Sequence, residues 1–83
     1  MKLRSDDITW QEIDGELVIL DTARSVYLTT NVAGAHLAKL LTEDRTLGDL
    51  ADALVEEYGI DRATAQADAE AFVADLREKD LLR

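Results

Sequence analysis

The chain has no cysteine and no proline, a single histidine, one tryptophan, one phenylalanine and two serines among its 83 residues. Without cysteine there is neither a disulfide framework nor a thiolate metal site. The lone His36 removes multi-histidine metal ligation. With no cysteine and only Ser5 and Ser25 as serines, a nucleophile–histidine triad lacks its parts. Glycine is sparse and scattered, at Gly15, Gly34, Gly48 and Gly59, so no glycine-rich loop is present to cradle a phosphate. Apolar runs stop at about four residues, far short of the ~20 that a membrane-spanning helix needs. The first seven residues, Met1 to Asp7, lack the apolar stretch of a signal peptide. Basic residues are also few. Nine Lys and Arg stand against 18 Asp and Glu, a net charge of −9. That field repels phosphate backbones and anionic lipid, which disfavours nucleic acid and membranes and leaves a basic peptide or a protein as partner. Adjacent carboxylates such as Asp6-Asp7, Glu43-Asp44 and Glu56-Glu57 point in different directions, so they do not form acid–base pairs. The expectation is a cytoplasmic protein that is not an enzyme and that holds no metal and no cofactor.

What is present is an ordered series of strand and helix patterns. At 47% hydrophobic and 33% charged residues the chain is apolar enough to fold, and residues 1–83 read as one domain. Strand patterns run over 8–13, 16–21 and 25–29. Asp14-Gly15 between the first two suits a two-residue turn with positive φ, and the short Thr22-Ala23-Arg24 connection completes a three-stranded antiparallel meander. In the third strand Val26 and Leu28 share one face, and Ser25, Tyr27 and Thr29 the other.

Three helix patterns follow. The first opens on Thr30 or Asn31, carries Val32, Ala35, Leu37, Leu40 and Leu41 at helical spacing, and stops around Thr42-Glu43-Asp44. The second takes Thr46 as N-cap with Asp49 three residues on. Its stripe is Leu47, Leu50, Ala51, Leu54, Val55 and Tyr58, and Gly59 is its C-cap. The third opens at Asp61 with the stripe Ala65, Ala69, Phe72, Val73 and Leu76, flanked on one side by Asp61, Asp68, Asp75 and Lys79. Leu81 and Leu82 then return to the core. The expected fold is α+β, a meander followed by three helices in a winged helix-turn-helix-like arrangement. A DNA role does not go with that shape here. The helix that would enter the major groove holds Asp61, Asp68, Glu70, Asp75 and Glu78 against Arg62, Arg77 and Lys79. A meander of three strands instead leaves a strand edge open to an added peptide.

The ordered set Leu20-Asp21, Val26-Tyr27-Leu28, Asn31-Val32-Ala33, Thr46-Leu47-Gly48-Asp49-Leu50-Ala51, Tyr58-Gly59-Ile60-Asp61, then Asp68 to Leu76 and Leu81-Leu82, resembles the PqqD-like proteins. These are peptide-recognition elements of pathways that modify ribosomally made peptides. The similarity runs from about Ile13 to Leu82 and is greatest to the stand-alone leader-binding proteins of lasso-peptide biosynthesis. The resemblance implies a precursor leader peptide as partner, added as a strand on the third strand beside the third helix. It also implies a separate leader-cleaving cysteine protease and an ATP-dependent cyclase. The contacts it implies fall on Ser25, Val26, Tyr27, Leu28 and Thr29, and on Asp68, Ala69, Phe72, Val73, Asp75 and Leu76. Phe72 and Leu76 are read either as groove residues or as core. Relatives usually carry a glycine before the final apolar pair, where this chain has Lys79-Asp80-Leu81. Two other readings stand beside this one: a peptide chaperone that presents a precursor to a radical-SAM enzyme, and an acidic interaction module without a peptide substrate.

Overall fold

The computed structural model describes residues 1–83. Strands β1 (Ile8–Ile13), β2 (Glu16–Asp21) and β3 (Val26–Thr30) precede helices α1 (Val32–Leu40), α2 (Leu47–Tyr58) and α3 (Arg62–Glu78). The strands form one antiparallel sheet in the order β1-β2-β3. Both β1 and β3 are therefore edge strands. Asp14 and Gly15 take φ of 54° and 82°, the positive pair that matches a tight hairpin to the twist of its strands. Leu17 and Ile19 of β2 point inward and are buried, while the strand's other face carries Glu16, Val18 and Leu20 toward solvent.

The helices begin where local chemistry satisfies their first N–H groups. The Asn31 side chain accepts from the Gly34 N–H at 2.8 Å, opening α1. Thr46 and Asp49 form a reciprocal capping box on α2, and Gly59 ends that helix at φ 65°. Asp61 caps α3 by accepting from the N–H and hydroxyl of Thr64. These caps shift the acids that make them. The Thr46 backbone N–H beside Asp49, and the Thr64 hydroxyl and N–H beside Asp61, hold both carboxyls below the ordinary value of 3.8.

Sixteen buried apolar residues form one core under the sheet, drawn from β2, α1, α2, α3 and both chain ends. Ala65 and Ala69 are fully buried, and these small side chains let α3 lie close against α2. The chain ends close the far side. Leu3 pairs with Leu82 in an isolated antiparallel bridge, and Arg4 and Leu81 share a backbone hydrogen bond of 2.8 Å. Asp80 adopts φ 55°, so the left-handed turn before Leu81-Leu82 is made by an aspartate where the resemblance implied glycine. Its carboxylate pairs with Arg24, which helps hold that conformation.

Three details depart from the sequence reading. Ser25 is not in the third strand: it sits at φ 57° in the turn, and β3 runs one residue further, to Thr30. The cause is Asp21, whose buried carboxylate accepts from the N–H groups of Ala23 and Arg24 and bends the chain before Val26. Helix α1 ends at Leu40, with a turn at Leu41 and Thr42. Finally, Val32, read among the apolar positions of the first helix, and Tyr58, read on the buried stripe of the second, are 51% and 41% exposed, because both lie at helix ends beyond the reach of the core.

Candidate functional site

The sheet is backed mainly by α1, whereas α3 packs on α2 and stands off from β3. Between them lies a cleft of about 460 Å³. Its wall on the sheet side is Leu28, Thr29 and Thr30, continued by Asn31, Ala33, Gly34 and Leu37 at the start of α1. Leu54, Tyr58 and Ile60 close one end, and Asp68, Ala71, Phe72 and Asp75 form the wall on α3. A shallower groove continues along Ser25 to Thr29 as far as Lys79, just past the end of α3.

The register of β3 sets what each residue can offer. Leu28 pairs with the buried Ile19 and faces inward, so its side chain reaches the cleft floor. Tyr27 pairs with Leu20 on the outer face and is 64% exposed. Because β3 pairs only with β2, half of its backbone N–H and C=O groups point away from the sheet without a strand partner. The site is thus an open strand edge above an apolar trough.

On α3 the helical period separates two sets of residues. Asp68, Phe72 and Asp75 fall at i, i+4 and i+7 and line the cleft. Ala69, Val73 and Leu76 lie on the adjacent arc and are buried in the core, so they do not line it. The alternatives left open for Phe72 and Leu76 therefore divide: Phe72 is half-buried at the cleft wall, and Leu76 is fully buried core. Of the expected strand residues, Leu28 and Thr29 line the cleft, and Ser25 to Thr29 line the groove beyond it.

Sequence reasoning missed nine of the lining residues, among them Asn31, Ala33, Gly34 and Tyr58. Gly34 lies in the first turn of α1. A Cβ there would lie 2.9 Å from Thr30 Cβ and 3.3 Å from Phe72 Cε1, so the close approach requires glycine. Tyr58, next to the helix-ending Gly59, had the signal of an aromatic at the very end of a stripe. Its ring meets His36 edge-on at 6.3 Å between centroids.

The cleft's charge is one-sided. Asp68 and Asp75 are the only acidic or basic side chains among the lining residues, and neither takes part in the chain's ion pairs. No group of three His, Asp or Glu side chains converges to hold a metal ion. No helix is long and apolar enough to cross a membrane.

Comparison with known proteins finds the same fold. The family described as coenzyme PQQ synthesis protein D (PqqD) matches residues 16–82. Among solved structures, TbiB1 in complex with the TbiA(beta) leader peptide is similar over 100% of this chain and 95% of its own, at 32% identity and a TM-score of 0.86. Lasso peptide synthetase B1 complexed with the leader peptide is similar over 93% of this chain and 89% of its own, at 30% identity and a TM-score of 0.78. The comparison with curated proteins finds no match.

Proposed function

The chain belongs to the PqqD family, and from that premise we propose that it binds the leader of a ribosomally made precursor peptide in the cleft between β3 and α3. The observation that carries this reading is the open β3 edge lying directly above an apolar cleft, in a chain similar along its whole length to a protein solved with a leader peptide. The leader adds to β3 as a fourth strand. Main-chain hydrogen bonds supply affinity without regard to sequence, and apolar side chains entering between Leu28, Phe72 and Tyr58 supply selectivity. The protein itself makes and breaks no bonds. It holds the leader so that the core peptide stays at high effective concentration near separate modifying enzymes, a leader-cleaving cysteine protease and an ATP-dependent cyclase. The setting is the cytoplasm, and residues 1–83 act as one domain.

The test is a titration of this protein into the fluorescently labelled leader encoded by a neighbouring precursor gene. Saturable binding to the leader and none to the core peptide is the expected result. No binding to the leader contradicts the reading. Delivery is tested separately, by whether adding the protein accelerates cleavage of the full precursor by the partner protease and leaves a leaderless substrate unaffected. The family's association with coenzyme PQQ synthesis also supports a second reading, presentation of a precursor in quinone-cofactor synthesis. The same titration against a precursor for a radical-SAM enzyme separates the two.

A further inference from the structure

We propose that the cleft selects an extended peptide carrying a lysine or arginine whose alkyl stem lies on Phe72 and whose charge meets Asp68 and Asp75; this rests on the leader-binding reading and specifies the leader's chemistry. Three observations point to it. Asp68 and Asp75 both line the cleft, seven residues apart on α3 and so about 10 Å along its axis, with the half-buried Phe72 ring between them. Neither carboxylate is paired, although eight ion pairs occur elsewhere in the chain, so their charge is available to an incoming group. The cleft contains no cation of its own.

A long basic side chain suits this wall better than any other. Its methylenes cover aromatic surface while its head stays near the two acids and solvent, and a cation near a ring face gains further attraction. A short acidic side chain would be repelled by both carboxylates. The sign of the charge reverses one helical turn beyond Asp75, where Lys79 lies along the groove with Ser25 to Thr29. A second cation there is disfavoured. The place of the basic residue therefore fixes the peptide's register along β3, which backbone hydrogen bonds alone leave free to slip.

The test uses a displayed library of random peptides, selected on the parent protein, on the Asp68→Asn/Asp75→Asn variant, and on an Asp6→Asn/Asp7→Asn variant. The last changes net charge equally at residues that line neither the cleft nor the groove. Enrichment of Lys or Arg at one fixed position on the parent and on the Asp6/Asp7 variant, lost on the Asp68/Asp75 variant, is the expected result. Replacing that basic residue with norleucine in the best peptide should then weaken binding to the parent about three- to tenfold and leave binding to the Asp68/Asp75 variant unchanged. Equal enrichment on all three proteins would assign the preference to overall charge and overturn the inference. Binders without basic residues would overturn it as well, while leaving the peptide site intact. A library that yields no binders would overturn the site and the inference together.

Discussion

A methyl group added at Gly34 is crowded: Thr30 Cβ would stand 2.9 Å away, and Asn31 Oδ1 and Phe72 Cε1 each 3.3 Å away. Gly34→Ala therefore pushes Phe72 toward the cleft, and overpacking of this kind costs about 1–3 kcal/mol. Urea denaturation should show that loss, and leader affinity should fall with it, because the displaced ring would narrow the cleft proposed for the peptide. The residues of α3 allow a sharper contrast. Phe72 is half-buried at the cleft wall, whereas Leu76 is fully buried in the core. Leu76→Ala should cost about 2–5 kcal/mol, as buried leucines do. The leader affinity of the protein that remains folded should be unchanged. Phe72→Ala should cost less stability than a fully buried phenylalanine, under about 3 kcal/mol, and should weaken leader binding. Equilibrium unfolding and titration on the same two variants check both halves. Loss of affinity in Leu76→Ala alone would reverse the assignment.

The elements themselves were legible because each is bounded by a local device. Asp14-Gly15, the Thr46–Asp49 box, Gly59 and Asp61 act over two or three residues, and no distant contact is needed to recognise them. Two of these devices also carry a pH dependence. The folded values of Asp49 and Asp61 lie below 3.8, so their contribution is complete above the unfolded value and disappears as pH falls through the lower folded one. Stability should decline below about pH 4. An Asp49→Ala/Asp61→Ala variant, weaker at neutral pH, should converge toward the parent in acid. Urea midpoints measured at neutral and acid pH test this, and parallel curves would contradict it. What the sequence left illegible depends on neighbours far along the chain. Ser25 reads as strand by its neighbours, but the buried Asp21 carboxylate bends the backbone there. Tyr58 fits the α2 stripe by spacing, yet no part of the core extends to meet it, and it borders the cleft instead. Asp68, Ala69, Phe72, Val73, Asp75 and Leu76 form one continuous arc on a helical wheel. Only the way α3 stands off from β3 while pressing on α2 divides the arc into cleft and core.

The two chain ends lock together against the core. Leu81 and Leu82 are buried, Leu82 bridges Leu3, and the Arg83 N–H donates to the Lys2 carbonyl at 2.8 Å. A buried leucine is worth about 2–5 kcal/mol on truncation, and a domain has only about 5–15 kcal/mol in all. Deleting residues 81–83 should therefore abolish the cooperative thermal transition seen by circular dichroism. A sharp transition retained in the shortened chain would show that this clamp is dispensable. With the ends locked in this way, the sheet keeps two open edges, but they are not equivalent. β1 is exposed along Thr9 to Ile13, whereas β3 borders the cleft with its acid-flanked Phe72 wall. The proposed leader site predicts that the leader chooses β3. Hydrogen exchange with mass-spectrometric readout, with and without saturating leader peptide, tests this directly and uses β1 as the internal control. Slowed exchange across Val26–Thr30, with Ile8–Ile13 unchanged, is the predicted result. Slowed exchange in Ile8–Ile13 with none in Val26–Thr30 would contradict it.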